Sequence, residues 1–214
     1  MIKNNVISDN YLFKYGIGEI TQSELLNLFL NTAKIIAQDN DKYRFLVYPD
    51  RPREHELKKI IIDSLTEKKY YHMIERPINI PAISAKNGNT GFVDISIYTN
   101  SGMVDIELKE SPSKRENNDK LDMPKILSSE SKGCSVFYFF RGGKINRQTD
   151  LILTRYQKAY DNQYKEYKNR NLLTDKWLLF FLFAYRENRA YSFLYENIYE
   201  VNFDFVKNNE NKYL

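Results

Sequence analysis

The chain is short of the residues that most often reveal a protein's chemistry. It holds one cysteine and two histidines in 214 residues. Cys134 therefore has no partner for an internal disulfide, which agrees with a reducing compartment, and it reads as an inert buried thiol at the head of a core strand. His55, His72 and that single cysteine lie too far apart to form a zinc set. Eight glycines and six prolines suit a globular chain rather than a disordered one. They include no glycine-rich phosphate loop and no nucleophile elbow. The longest apolar run, Trp177 to Tyr185, is far below the ~20 residues of a membrane-spanning helix. The N-terminus lacks the apolar stretch of a signal peptide. These absences lead to the expectation of a cytoplasmic protein with no membrane partner. The net charge of +4 is mild, so contact with nucleic acid requires a local basic patch rather than an overall excess.

What the sequence does carry is concentrated between Gly91 and Glu110, GFVDISIYTNSGMVDIELKE. Val93, Ile95 and Ile97 alternate with Asp94, Ser96 and Tyr98. Val104, Ile106 and Leu108 alternate with Asp105, Glu107 and Lys109. Period-two alternation on both sides of Asn100-Ser101-Gly102 is the signal of a half-buried hairpin. One face is aliphatic and belongs on a core, while the other holds carboxylates and a lysine. A turn at Asn100-Ser101 puts Asp94 across from Glu107, and a turn one residue later puts it across from Lys109. In either register Asp94, Glu107 and Lys109 are expected together, because facing Cβ atoms lie roughly 5 Å apart.

Asp94 followed by Glu107-Leu108-Lys109 on a neighbouring strand resembles the PD-(D/E)XK nuclease superfamily, the restriction-endonuclease-like fold. Val93 stands where the family name has proline. The resemblance implies an α/β fold with an αβββαβ core and a mixed sheet, spanning about residues 52–141. It also implies Mg2+ or Mn2+ as cofactor, with Asp94, Glu107 and the Leu108 carbonyl as ligands. Lys109 would orient the attacking water or stabilise the transition state. In the superfamily the helix before the first core strand often adds a glutamate. Glu54 is the candidate here, with Glu56 second. Asp105 either binds a second metal or is simply exposed.

The surrounding chain supplies elements in a matching order. Thr21 to Glu24 is a capping box that opens a helix carrying Leu25, Leu26, Leu28, Phe29, Ile35 and Ile36. This helix packs either on the catalytic core or against a second subunit. Tyr43 to Tyr48 reads as a short strand or extended link. Pro52 suits a first helical turn, and Leu57, Ile60, Ile61 and Leu65 form an apolar stripe on the helix it opens. Tyr70 to Ile80 reads as a strand with Tyr71, Met73 and Glu75 on one side. Pro77 and Pro81 make it an edge strand or a strand end. Ser84 to Thr90 reads as a polar loop.

After Glu110 the sequence SPSKRENNDKLDMPK is basic and polar. Lys120 and Lys125 are its expected phosphate contacts, with Arg141 beyond the next strand. Asp119 to Ser129 reads as a short helix with Leu121, Ile126 and Leu127 as its apolar face, bent or ended by Pro124. Cys134 to Phe140, CSVFYFF, reads as a central strand buried on both faces. Asp150 to Asn169 forms a helix with Leu153, Tyr156, Tyr160, Tyr164 and Tyr167 on one face. Those tyrosines serve either as core or as base-stacking platforms among lysines. Trp177 to Tyr185 and Ala190 to Phe203 read as two long strands around Arg186-Glu187-Asn188.

The expected organisation is thus an N-terminal helical elaboration (1–51), a nuclease-like core (52–145), and a C-terminal helix and strands completing the same domain (146–214). The expected function is metal-dependent hydrolysis of phosphodiester bonds, in DNA rather than RNA, in restriction, phage defence or repair. A homodimer or a place in a defence complex is the expected assembly. The rival functions are a catalytically silent nucleic-acid-binding subunit and a protein-interaction domain whose charged hairpin face is merely solvated.

Overall fold

The computed structural model describes residues 18–38, 54–80, 89–111, 125–140, 147–169, 177–185, 189–195 and 204–207. Among those residues, three helices, α1 (Gln22–Gln38), α2 (Glu54–Glu67) and α3 (Arg147–Asn169), accompany seven strands. The strands are β1 (His72–Ile80), β2 (Asn89–Thr99), β3 (Gly102–Ser111), β4 (Gly133–Phe140), β5 (Trp177–Ala184), β6 (Arg189–Tyr195) and β7 (Asp204–Lys207). All seven lie in one sheet in the order of the sequence. β1, β2 and β3 form an antiparallel meander, β4 and β5 run parallel to β3, and β6 and β7 return antiparallel. The protein is therefore α/β with a mixed sheet.

Parallel neighbours cannot be joined by a tight turn and need a crossover. α3 connects β4 to β5. Between β3 and β4 the described residues include a single helical turn at 125–128. Among the described residues the order is helix, three antiparallel strands, helical turn and parallel strand.

Two apolar layers hold the sheet. On one face the stripes of α1 and α2 meet Ile95, Ile97, Val104, Ile106 and Leu108, together with the phenyl rings of β4 and β5. On the other, Ile152, Leu153, Tyr156 and Tyr160 of α3, with Ile126 and Leu127, meet Cys134, Val136, Tyr138, Leu178 and Phe180. β4 is buried at every position, as a strand covered on both faces must be. The Trp177 indole lies so close over Gly133, its cross-strand neighbour, that a Cβ there would stand 2.1 Å from the ring.

Local signals fare well where described. Thr21 and Glu24 form the reciprocal capping box, with the Thr21 amide on Glu24 Oε2 at 2.7 Å and the Glu24 amide on Thr21 Oγ1 at 3.2 Å. The apolar face of α1 is spent on this chain's own core, with Leu25, Leu28, Phe29 and Ile36 buried, and that face is not available to a second subunit. Tyr156 and Tyr160 are likewise core rather than stacking platforms. Some boundaries differ from expectation. β2 begins at Asn89, inside the expected loop, and β1 begins at His72. Of the expected strand from Ala190 to Phe203, the described part lies in β6, and 196–203 lie outside the described residues. Tyr43 to Tyr48, Pro52, Lys120, Leu121, Pro124, Arg141 and 186–188, and the side chains of Tyr164 and Tyr167, lie outside the described residues.

Phe29 locks α1 to the sheet. Its ring meets Phe137 edge-on at 5.1 Å and Phe181 at 5.6 Å. Phe29→Ala is expected to lower unfolding free energy by about 3–5 kcal/mol, read from the urea midpoint at an unchanged m-value.

Candidate active site at a strand fork

The hairpin folds in the first of its two registers. Thr99 pairs with Gly102, and the ladder continues through Ser96–Asp105 to Ile95–Ile106. Beyond that pair the strands take different partners. β2 stays on β1 as far as Asn89, and β3 stays on β4 as far as Ser111. The sheet forks there, with Asp94 on one arm and Glu107-Leu108-Lys109 on the other.

Asp94 bridges the fork. Its Oδ2 accepts the Leu108 N–H at 2.9 Å, so a side chain takes a backbone donor from the middle residue of Glu107-Leu108-Lys109. Its Oδ1 lies 2.9 Å from Lys58 Nζ of α2. Lys58 also reaches Glu75 Oε1 at 3.3 Å. The β1–β2 ladder pairs Ile74 with Ile95 and Arg76 with Val93 but skips Glu75 and Asp94 between them. Glu75 has φ 52°, the left-handed region that a non-glycine residue seldom occupies. This break corrects the expected β1 pattern, in which Glu75 lies in the pleat on the same side as Tyr71 and Met73.

Glu107 is held from elsewhere. Its Oε1 lies 3.2 Å from Lys109 Nζ and 2.5 Å from Lys125 Nζ. Lys125 opens the helical turn whose Ile126 and Leu127 belong to the α3 side of the sheet, whereas α2 packs on the opposite side. Ammonium groups thus approach the two carboxylates from opposite layers. Simple alternation places Asp94, Glu107 and Lys109 on one shared face. The structure sets Asp94 in the fork, with Oδ2 on the Leu108 amide of β3 and Oδ1 on Lys58. Lys125, expected on substrate phosphate, is turned onto Glu107. Lys120 and Arg141 lie outside the described residues.

Glu54 begins α2 one turn before Lys58, on the same helix face. It lines a groove of about 540 Å³ with His55, Lys58, Lys59, Ile62, Ile74 and Glu75. Among the described residues, no three side chains from His, Cys, Asp and Glu gather to hold a metal. Glu54, Asp94 and Glu107 therefore do not form the three-acid group expected of them. The Leu108 amide on Asp94 Oδ2 joins the strand that carries Asp94 to the one that carries Glu107. Oxygen donors with one or two carboxylates fit magnesium or manganese, whose remaining positions water and phosphate can fill. They do not fit zinc, which favours nitrogen and sulfur.

Asp105 is not exposed, against one of the two expectations for it, and both its oxygens have partners within the chain. It is 3% exposed. Its Oδ2 accepts from Arg76 Nη2 at 2.8 Å and from the Ser129 hydroxyl, and its Oδ1 accepts from Ser96 Oγ at 2.6 Å. Arg76 Nε also donates to Ser96 Oγ at 2.8 Å.

Sequence reasoning missed Lys58, Arg76 and the Glu75 break. Only Lys58 had a local signal, the four-residue spacing from Glu54. Burial works to lower the Lys58 pKa, but the Asp94 and Glu75 carboxylates outweigh it and hold the ammonium above its ordinary 10.5. No family model matches the chain, and no curated protein matches it. Among the described residues, no helix is long and apolar enough to cross a membrane.

Two outcomes follow from these pairings. Arg76→Met leaves the Asp105 carboxylate buried without its guanidinium and is expected to cost about 3–5 kcal/mol of stability, measured by chemical denaturation, with Arg76→Lys losing less. Because the Lys58 pKa is raised on folding, its contribution is complete below the unfolded value and fades as pH rises through the folded one. The difference in melting temperature between wild type and Lys58→Met is therefore expected to stay constant from about pH 7 to about pH 10 and to shrink above that.

Proposed function

We propose that this protein is a metal-dependent nuclease of the restriction-endonuclease-like class, hydrolysing phosphodiester bonds in DNA with Mg2+ or Mn2+. The observation that carries the reading is the hydrogen bond from the Leu108 amide to Asp94. It sets a β2 carboxylate against the one segment of β3 that holds both an acid and a lysine, at the point where the sheet opens. The α/β class and the helix, meander and parallel-strand order support the same reading.

Each residue has a physical task in this proposal. Asp94 and Glu107, with the Leu108 carbonyl, would hold the metal. The metal, when bound, supplies an activated water and neutralises phosphate charge. The Leu108 amide fixes the rotation of the Asp94 carboxylate. Lys109 brings an ammonium 3.2 Å from Glu107, where it can orient the attacking water or offset charge building on phosphorus. Glu54, at the mouth of the adjoining groove, is the candidate for an assisting acid. Lys120 and Arg141 are proposed phosphate contacts, and Lys125 joins them only if it leaves Glu107. Cutting both strands of a duplex requires two such sites, which supports a homodimer or a larger complex.

A second reading is favoured by the lysines. Lys58 on Asp94 and Lys125 on Glu107 neutralise both acids within the chain. A scaffold that binds nucleic acid or protein without turnover would show the same pairs.

Supercoiled plasmid incubated with the protein separates the readings. Nicking that requires Mg2+ or Mn2+, is abolished by chelator and falls at least about a hundredfold in Lys109→Ala supports the nuclease. Binding of DNA that is unchanged in Lys109→Ala, with no cleavage in either metal, supports the silent scaffold.

A further inference from the structure

We propose that Lys58 is a positioning residue that controls cation access to Asp94 by exchanging between two carboxylates, Asp94 and Glu75. The inference rests on the metal-dependent reading above. One ammonium stands between two acceptors, 2.9 Å from Asp94 Oδ1 and 3.3 Å from Glu75 Oε1. Asp94 Oδ2 is committed to the Leu108 amide, so Oδ1 is the oxygen that the lysine covers. A cation approaching that oxygen meets the Lys58 charge and must displace it.

The second acceptor makes displacement inexpensive. The Lys58 and Asp94 side chains are 13% and 12% exposed, while the Glu75 side chain is 68% exposed. The ammonium therefore has a route from a sheltered partner to a wet one, and the groove beside α2, lined by Lys58, Ile74 and Glu75, gives it room. A lysine suits this task because its charge is compact, its stem flexible and its three donors rotatable. The left-handed backbone at Glu75 finds a reason in the same arrangement. Residue strain of this kind persists where the surroundings fix it and tends to gather at functional sites. Here it accompanies the skipped ladder pair that leaves both carboxylates on one lysine.

The test reads metal binding without turnover. The full chain is titrated with Mn2+ in the absence of DNA, and free Mn2+ is followed by its electron paramagnetic resonance signal. Lys58→Met is expected to tighten Mn2+ binding about tenfold, within the range of couplings between contacting groups. Glu75→Gln, at a side chain that is 68% exposed, is expected to weaken binding several-fold. The double variant is expected to bind like Lys58→Met, because Glu75 acts only through the lysine. Mn2+ binding that is unchanged or weaker in Lys58→Met overturns the exchange and leaves the metal reading standing. An equal effect of Glu75→Gln with and without Lys58 also overturns it, since that is plain long-range attraction. Failure of the wild type and every variant to bind Mn2+ sinks both proposals.

Discussion

The fork depends on one hydrogen bond, from the Leu108 amide to the Asp94 carboxylate. A buried backbone donor that loses its ladder partner must find another. Here the partner is a charged side chain, and hydrogen bonds to ionised acceptors are the stronger kind. The exchange lets β2 follow β1 and β3 follow β4 while the hairpin below Ile95–Ile106 stays closed. It also fixes where the acid of one strand stands relative to the acid and lysine of the next. Any chemistry the fork performs inherits its geometry from that contact.

The elements around the fork were open to reading because each is set by near neighbours or by simple burial. The alternation of Val104, Ile106 and Leu108 against Asp105, Glu107 and Lys109 sorts one face of β3 onto the α1 and α2 layer. The two-residue turn at Asn100-Ser101 then fixes the register of β2 on β3. CSVFYFF has no polar face to give to water, and β4 is the fully buried strand it implies. The capping box at Thr21 and Glu24 needs only residues three apart.

What could not be read is set by partners distant in sequence. Alternation assumes that every residue of a strand lies in the pleat, and Glu75, at φ 52°, does not. Nothing in the string HMIERPINI marks that position, because glutamate is not a residue that advertises a left-handed backbone. Asp105 looked like an exposed or metal-binding acid because its guanidinium comes from another strand, 29 residues away. Lys58 drew no reading because the apolar stripe of α2 accounts for the helix without it. The long side chains of lysine and arginine reach past the face on which their backbone places them, so a reading by face undercounts them.

The acids of the fork region differ in how they are held, and the difference separates structure from chemistry. Asp105 is gripped by a planar guanidinium and two hydroxyls, a rigid set that leaves its carboxylate in one place. Glu107, two residues along the same strand, is met by the ammonium groups of Lys109 and Lys125. Asp94 is met by a backbone amide and the ammonium of Lys58. Arginine in a fixed fork of donors is suited to permanent pairing, whereas lysine is a mobile point charge that can leave for another acceptor. Burying a carboxylate is costly, and an apolar side chain of similar size often serves stability as well or better. A fold that needed only stability could treat all three positions alike. Instead one acid is locked by a guanidinium and two hydroxyls, and the two at the fork are met by lysine ammonium groups.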